Sequence, residues 1–569
     1  MKEITESEDN YEKANNEREK YVEAVLNSLS NNKIVVGGPG TGKTYLFKKV
    51  LEGKRKALTL TFINHLVEDL SLELCGLSEV RTLHSFAYNL LSSHSKGVKI
   101  FPDLWKVIQE DARILLNKEV DFDKLFHNRL DKNEHIEFYK KRREYYKHYG
   151  YSDVIFGAVL YLEKFKNKIP DYDQVVVDEF QDFNTLEVSL IDLLSEKSPV
   201  LLVGDDDQAL YDFKSASTKH IRERHSENNV AYASFSLPHC SRCTRVIVET
   251  ANDVIKKAIE NGLLINRIKK HYHYFEDKVK DKESAQYNKV VYCQRFATEI
   301  PLFIEQQIGN IAKDIKDTFS VLIISPLRKK SAPIVKALKK KGLDNIEFVE
   351  KKDPKEKPTL MDGLKILLGD EASNLGWRIV SECCLDNNDF NSLIKETEDR
   401  TKDIFEIVDD NFKIEVVGMI KLLRAIENNK KVEEIEFDNF LRIIKYDLYN
   451  IAKKFLKDEI TSISRRLYNP GLRKISIKSR TIRESKGLSA DYVFITHFDD
   501  HYFIKKTKDK KEVSDQHICN FLVALTRAKR KVFLISSIEE EPTFLKWINA
   551  ERIDKLPPPL SRQKGRQGS

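Results

Sequence analysis

A glycine-rich segment at residues 37–44, GGPGTGKT, ends in Lys43 and Thr44. Three apolar residues precede it and a helical pattern follows it, so it is predicted to join a buried strand to a helix. Glycines let backbone N–H groups turn toward an anion, and the start of a helix adds a partial positive charge. The spacing therefore predicts a phosphate-binding loop, in which Lys43 reaches the β- and γ-phosphates of a nucleotide and the Thr44 hydroxyl ligates Mg²⁺. The predicted nucleotide-binding residues are Gly37, Gly38, Pro39, Gly40, Thr41, Gly42, Lys43, Thr44 and Tyr45.

Two more polar clusters directly follow apolar runs. Asp178 and Glu179 come after three valines, and Gln208 ends the sequence GDDDQ after the apolar run 200–203. Because the carboxyl ends of parallel strands meet at one edge of a sheet, we expect both clusters close to the phosphate-binding loop. Asp178 is predicted to bind Mg²⁺, and Glu179 to orient an attacking water as general base. The amide of Gln208 is suited to sensing a γ-phosphate through water.

The elements that position these residues read as strands alternating with helices, which predicts an α/β fold with parallel sheets. The same pattern repeats at lower contrast after residue 237, whereas residues 92–168 and 381–465 are mostly helical and charged. Strands are predicted at 34–36, 57–62, 200–203, 290–293, 321–324, 346–349, 474–477, 493–496 and 532–535, with a strand end near Val80 and a buried strand that ends in acids at 175–182.

The composition limits the class of protein. The chain has 569 residues, too many for a single core, and 33% of them are charged. The mean hydropathy is −0.47, and the sequence contains no apolar run long enough to span a membrane. Seven cysteines without framework spacing and a polar N-terminus favour a cytoplasmic protein. A net charge of +7 permits an acidic polymer as partner without demonstrating one.

Eight motifs together resemble those of the UvrD/Rep/PcrA-type superfamily 1A DNA helicases. They appear in the family's order between residues 35 and 535, and they are GGPGTGKT, TFIN, TLHSFA, VVVDEFQD, VGDDDQALYDFKSAS, LPHCSRCTRVI, RTIRESKGLSADYVFI and LVALTRAKRKV. The resemblance implies two RecA-like motor domains, each with an insertion. It also implies an ATP- and Mg²⁺-dependent motor that moves 3′ to 5′ along single-stranded DNA.

The resemblance also implies roles for individual residues. Arg242 and Arg527 match the two arginine fingers that reach the γ-phosphate, and Gln181 and Asp182 match residues that couple the nucleotide site to DNA. The positions that match the family's DNA channel are Phe62, Asn64, Thr82, His84, Tyr211, Phe213 and Lys214.

The domain boundaries follow from the motifs and the composition. We expect a first motor domain at 1–91 and 169–235, a helical insertion at 92–168, a second motor domain at 236–380 and 466–550, a reduced helical insertion at 381–465, and a disordered basic tail at 551–569.

Four positions depart from the family in the region that should contact the base and the ribose. The family's adenine-reading glutamine falls near Tyr21, its stacking tyrosine is Ser241, its ribose-binding glutamate is Ser489, and the arginine after GKT is Tyr45. Tyr45 is predicted to stack on the base instead, and selectivity for adenine is in doubt.

Three functional hypotheses remain open. The first is an ATP-driven 3′-to-5′ DNA helicase acting on single-stranded and tailed duplex DNA. The second is a nucleotide-gated DNA-binding or signalling subunit that recruits a separate nuclease, for example in antiviral defence, with little unwinding. The third, an ATPase acting on protein, is disfavoured by the candidate DNA-channel residues Phe62, Tyr211 and Phe213.

Overall fold

The computed structural model describes residues 2–62, 64–94, 97–210, 215–315, 318–343, 345–348, 357–427, 475–504, 506–507, 510–538 and 540–558. The chain forms two compact units. The sheet unit comprises Met1–Ser85, Leu162–Glu350 and Arg473–Ser569, and the helical unit comprises Phe86–Tyr161 and Lys351–Leu472.

The first sheet of the sheet unit has six parallel strands and carries the phosphate-binding loop. Its central strands are fully buried and rich in valine and leucine, as expected where helices cover both faces of a parallel sheet. Across the sheet the strands are Glu79–Thr82, Ala57–Thr61, Gln174–Val177, Val200–Gly204, Asn32–Gly37 and Ala233–Leu237.

The second sheet has seven strands, also all parallel. Across the sheet they are Ile346–Phe348, Ile475–Thr481, Phe319–Ser325, Ala490–Thr496, Ala528–Ser536, Val290–Gln294 and Ile553–Lys555. The predicted α/β fold with two parallel sheets is therefore confirmed.

Separate hydrophobic cores hold helices against the sheets. In the first sheet, Val35 and Leu201 pack with Leu46 and Phe47 of the helix that follows the phosphate-binding loop. The second sheet has one core on each face. Helices of the sheet unit are Lys2–Asn27, Lys43–Leu51, Asn64–Glu73, Thr185–Ser195, Lys219–Arg224, Arg245–Glu260, Lys278–Gln286, Ile300–Asp314, Arg328–Lys340, Asp500–Phe503, Asp515–Leu525 and Thr543–Trp547.

The helical unit combines two stretches that are far apart in the sequence. Its helices are Leu104–Leu116, Phe122–His127, Glu134–Tyr146, Leu360–Gly369, Asn374–Cys384, Asn387–Glu396, Ile404–Ile407 and Asp410–Glu427, while Leu83–His94 and Tyr151–Lys164 cross the unit boundary along the chain. A short two-stranded ladder, Lys99–Ile100 with His148–Tyr149, lies within the first stretch.

A buried ion cluster joins these two stretches. Asp111 has no exposed surface and accepts hydrogen bonds from Arg142 Nε at 2.8 Å, Arg378 Nε at 3.1 Å and Tyr146 Oη at 2.6 Å. Arg142 also donates to Thr397 O at 3.1 Å. Burial opposes ionisation of Asp111, but the two guanidiniums outweigh it and lower its pKa.

Three sequence-based expectations differ from the structure. Residues 360–380, expected in the second motor domain, instead lie in the helical unit. The two predicted insertions lie together in that unit, where Asp111 of the first accepts a hydrogen bond from Arg378 of the second stretch. The tail expected to be disordered from residue 551 begins with a strand, Ile553–Lys555, which pairs with Val290–Tyr292; residues 559–569 lie outside the described residues. The edge strand Ala233–Leu237 was not predicted.

Within the described part of the chain, no helix is both long enough and apolar enough to cross a bilayer.

Candidate active site

The phosphate-binding loop lies at the carboxyl end of strand Asn32–Gly37, as predicted. Gly40 and Gly42 have φ values of 72° and 91°, in the left-handed region that favours glycine. Helix Lys43–Leu51 begins without a side-chain cap from Gly42, which leaves its first N–H groups available to an anion. Lys43 Nζ donates to Gly37 O at 3.3 Å, so the ammonium lies over the loop.

Residues from the chain segment between the two sheets pack directly on this loop. Tyr272 Oη donates to Pro39 O at 3.0 Å, and Ser241 N donates to Gly40 O at 3.0 Å. A Cβ added at Gly40 would lie 2.3 Å from Arg242 Cβ, so no larger residue fits there. The loop is thus held between its own strand and the segment that carries Arg242.

The adjacent acids Asp178 and Glu179 are both buried at the end of strand Gln174–Val177. Glu179 has a φ of 54°, an uncommon conformation for a residue with a side chain, and such strain is found at functional sites. Burial and the neighbouring Glu179 raise the pKa of Asp178 to about 7. Burial acts on Glu179 too, but Lys486 and Lys43 outweigh it and lower the pKa of Glu179 to about 2. The raised pKa of Asp178 means that its charged form is disfavoured unless a cation lies beside it. Glu179, with its lowered pKa, stays ionised.

Lys486 links the acids to the second sheet. Its side chain is fully buried, and its ammonium pairs with Asp182, lies 3.5 Å from Glu179 Oε2 and donates to Gln208 O at 2.6 Å. Burial raises the pKa of Asp182 to about 6, although Lys486 acts in the opposite direction. The lysine compensates the buried negative charge of this part of the site.

Two glutamines connect the remaining groups. Gln181 Nε2 donates to Glu179 Oε2 at 2.6 Å, and its Oε1 accepts from Asp205 N at 2.9 Å. Gln208 Nε2 donates to Asp205 Oδ2 at 2.7 Å, and its Oε1 accepts from Arg527 Nη2 at 2.9 Å. Burial and the charge of Arg242 lower the pKa of Arg527 to about 10.

Of the predicted nucleotide-binding residues, Pro39, Gly40 and residues 42–45 border a common cleft of ≈ 650 Å³, whereas Gly37, Gly38 and Thr41 do not line it. Those at its wall include Lys43, Thr44, Asp178, Glu179, Gln208, Arg242 and Arg527. The residues fit a nucleotide, because positive side chains and helix N–H groups face the same space. They also fit Mg²⁺, because a threonine hydroxyl and a carboxylate supply the oxygen ligands that this ion prefers.

Comparison with known proteins finds DNA helicases among the proteins similar to this chain. A family model described as "AAA domain" matches residues 22–214. A probable DNA helicase II homolog of Mycoplasma genitalium is 24% identical, over 92% of this chain and 86% of its own length. The ATP-dependent DNA helicase PcrA of Staphylococcus aureus is 25% identical, over 66% of this chain and 56% of its own. The ATP-dependent DNA helicase srs2 of Schizosaccharomyces pombe is 22% identical, over 43% of this chain and 36% of its own.

By this family model and these relatives, the chain is similar to the UvrD-like superfamily 1 helicases. It spans less than two thirds of the PcrA and srs2 relatives.

The described candidate DNA-channel residues lie at or just beyond the ends of neighbouring strands. Thr61 pairs with Thr82 in register, so Phe62 and His84 follow adjacent strand ends. Phe62 packs edge-to-face on Phe183, with ring centroids 5.7 Å apart. Tyr211, Phe213 and Lys214 lie outside the described residues, as does the side chain of Asn64.

Three of the four positions predicted to lie near the base and the ribose border the cleft. They are Ser241, Ser489 and Tyr45. Tyr21 instead packs edge-to-face against His239 at 5.7 Å. The guanidinium of Arg18 lies 5.3 Å from the centre of the Tyr45 ring, and Tyr45 Oη contacts Glu19 at 3.4 Å.

Sequence reasoning missed Lys486, Tyr272 and Arg18. Lys486 lies in the quoted motif RTIRESKGLSADYVFI, a few residues before the strand predicted at 493–496, and that motif was its signal. Tyr272 and Arg18 carried no local signal, because their partners are distant in sequence.

Proposed function

We propose that the protein is an ATP-dependent DNA helicase that moves 3′ to 5′ along single-stranded DNA and couples hydrolysis to strand separation. The observation that carries the proposal is that Arg242 and Arg527 border the same cleft as Lys43 and Glu179. Guanidinium groups beside a phosphate-binding loop and a carboxylate base are the elements that phosphoryl transfer requires. The DNA helicases among its relatives support DNA as the partner.

In the proposed mechanism, the loop amides and Lys43 bind the phosphates of ATP. Thr44 and Asp178 would hold Mg²⁺, which would supply charge neutralisation for the phosphates. Glu179 orients the attacking water and accepts its proton, and Gln208 holds the water or the γ-phosphate in place. Arg242 and Arg527 stabilise the charge that develops on the transferred phosphoryl group.

Coupling to DNA is proposed to pass through Gln181 and Asp182. Gln181 bridges Glu179 and Asp205, while Asp182 accepts from Leu210 N at 3.4 Å, directly before the candidate DNA-contacting residues at 211–214. A shift of Leu210 on DNA binding would therefore reach the general base Glu179 through Asp182. Phe62, Thr82 and His84 are proposed to line the same channel.

The proposed partners are single-stranded DNA and tailed duplexes. The alternative of a nucleotide-gated DNA-binding or signalling subunit that recruits a nuclease gains no support from the relatives named above, whose names describe helicases. It remains the competing outcome of the test.

A strand-displacement assay tests the proposal. With ATP and Mg²⁺, the protein should unwind a duplex with a 3′ single-stranded tail and leave a matched 5′-tailed duplex intact. Lys43→Ala should abolish unwinding and hydrolysis, whereas Glu179→Gln should bind ATP normally and fail to turn over. DNA-stimulated hydrolysis without displacement of either duplex would favour the gated subunit, and hydrolysis indifferent to DNA would reject both.

A further inference from the structure

Three consecutive aspartates directly precede Gln208, the candidate sensor of the γ-phosphate. Asp205, Asp206 and Asp207 have side chains at most 7% exposed, and their carboxylates lie close enough together to share a cation. Buried like charges at this spacing strongly destabilise a folded chain unless they are compensated. Something in the structure must therefore neutralise them.

Lys270 supplies that compensation from a segment that joins two helices, residues 261–276. Its side chain is 4% exposed, and its ammonium pairs with all three carboxylates, at 2.7 Å from Asp205 and 2.9 Å from Asp207. Arg267 Nε of the same segment lies 2.8 Å from both oxygens of Asp207. Because the ammonium lies where a bound cation would sit, the three aspartates form a lysine site and not a metal site.

The contacts of Asp205 lead from Lys270 to the reacting groups. One oxygen of Asp205 pairs with Lys270, and Oδ2 accepts the Gln208 amide at 2.7 Å. This contact fixes the rotation of the amide, so that its oxygen faces Arg527 Nη2 at 2.9 Å. The backbone N–H of Asp205 donates to Gln181, the partner of Glu179.

The segment that carries Lys270 is also attached to the phosphate-binding loop. Two residues further on, Tyr272 donates to Pro39 O at 3.0 Å, and its ring lies 2.7 Å from a Cβ placed at Gly38. One short segment thus contacts both the loop that would bind the phosphates and the group that positions Gln208. The segment therefore connects the phosphate-binding loop with the Asp205 carboxylate that positions Gln208.

We infer that Lys270 is a positioning residue for ATP hydrolysis, which holds Asp205 so that Gln208 and Arg527 face the γ-phosphate together. The inference rests on the proposed function. Lys270 is not among the residues that border the cleft, so its removal should misplace the amide without weakening nucleotide binding. It should therefore lower kcat and leave KM for ATP nearly unchanged.

Steady-state hydrolysis by the full chain with ATP, Mg²⁺ and oligo(dT) tests this. Lys270→Met should lower kcat at least about tenfold, equivalent to about 1.4 kcal/mol of barrier, with KM for ATP changed less than about twofold. The matched control is Lys269→Met, because Lys269 is the exposed neighbour on the same segment and should behave like the wild type.

A second variant separates positioning from mere stability. Lys270→Met combined with Asp207→Asn removes one charge of each sign, so thermal stability should recover toward the wild type. Because Asp205 still lacks its lysine, kcat should stay at least about fivefold low. Wild-type kcat in either variant, or a rise in KM with kcat unchanged, would overturn the inference. Absence of hydrolysis by the wild type would instead overturn the proposed function.

Discussion

At the residue scale, Tyr45 is the side chain that most distinguishes the candidate base pocket. A hydrogen-bonded readout of adenine gives strong discrimination, because the wrong base leaves buried polar groups unpaired, whereas stacking accepts any base. Tyr45 borders the cleft with Ser241 and Ser489, the positions predicted from the sequence to lie near the base and the ribose.

If Tyr45 is the main contact, GTP and CTP should be hydrolysed within about tenfold of ATP, a difference of about 1.4 kcal/mol. Tyr45→Ala should then raise KM for all three nucleotides alike and change kcat less. Comparing kcat/KM for the three nucleotides measures this. A preference for ATP above about a hundredfold that survives Tyr45→Ala would indicate a different adenine contact.

Asp153 of the helical unit gives a second residue-scale prediction. Its carboxyl is buried, accepts from Gly150 N and from Tyr139 Oη at 3.3 Å, and lies 3.9 Å from Arg143. Burial raises its pKa from 3.8 to about 7, so the folded state binds a proton that the unfolded state releases. The stability from this proton is complete below about pH 4 and is lost as the pH rises through 7.

Asp153→Asn should remove this dependence, because the amide is neutral at every pH. The advantage of the variant over the wild type in the free energy of unfolding should therefore grow by about 3 kcal/mol between pH 5 and pH 8. Chemical denaturation at the two pH values measures the difference. Exposed Asp171→Asn is the control, and equal changes in both variants would contradict the assignment.

At the element scale, the conformation of the phosphate-binding loop requires glycine at position 40. Gly40 has a φ of 72° and leaves no room for a Cβ beside Arg242, whereas Gly53 has a similar φ of 76° with nothing within 4 Å. Replacing either glycine with alanine should cost the same backbone strain, about 1 kcal/mol. Only Gly40→Ala adds a clash.

Gly40→Ala should therefore separate Arg242 from the loop and lower kcat/KM for ATP at least about tenfold, whereas Gly53→Ala should lose only stability. Thermal unfolding and steady-state hydrolysis of both variants distinguish the two effects. Equal loss of activity in the two variants would mean that strain and not the Arg242 contact matters.

The same scale shows how far sequence predicts structure. Central strands such as Gln174–Val177 were predictable, because burial on both faces demands an uninterrupted apolar run. The edge strands Ala233–Leu237 and Ile553–Lys555 were not, because partial exposure leaves polar residues in them and pairing depends on a distant neighbour. The loop residues Lys43 and Thr44 were predictable from local spacing. Lys270 was not, because its aspartates lie about sixty residues earlier in the chain.

At the scale of the whole molecule, one buried carboxylate joins two stretches of chain into the helical unit. Asp111 pairs with Arg142 from the first stretch and Arg378 from the second, and all three side chains are at most 1% exposed. Removing the carboxylate leaves two buried guanidiniums without their common partner. Breaking a buried pair in this way costs about 3–5 kcal/mol.

Asp111→Ala should thus loosen the helical unit and leave the candidate active site, all of whose residues belong to the sheet unit, intact. Trypsin should cut the variant first within 86–161 or 357–427, while hydrolysis of ATP without DNA stays within about threefold of the wild type. Glu110→Gln is the matched control, because the ion pairs of Glu110 with Arg113 and Lys357 involve exposed partners and contribute little. Loss of hydrolysis in parallel with trypsin sensitivity would mean that the two units unfold as one, and that the stability of the nucleotide site depends on the insertions.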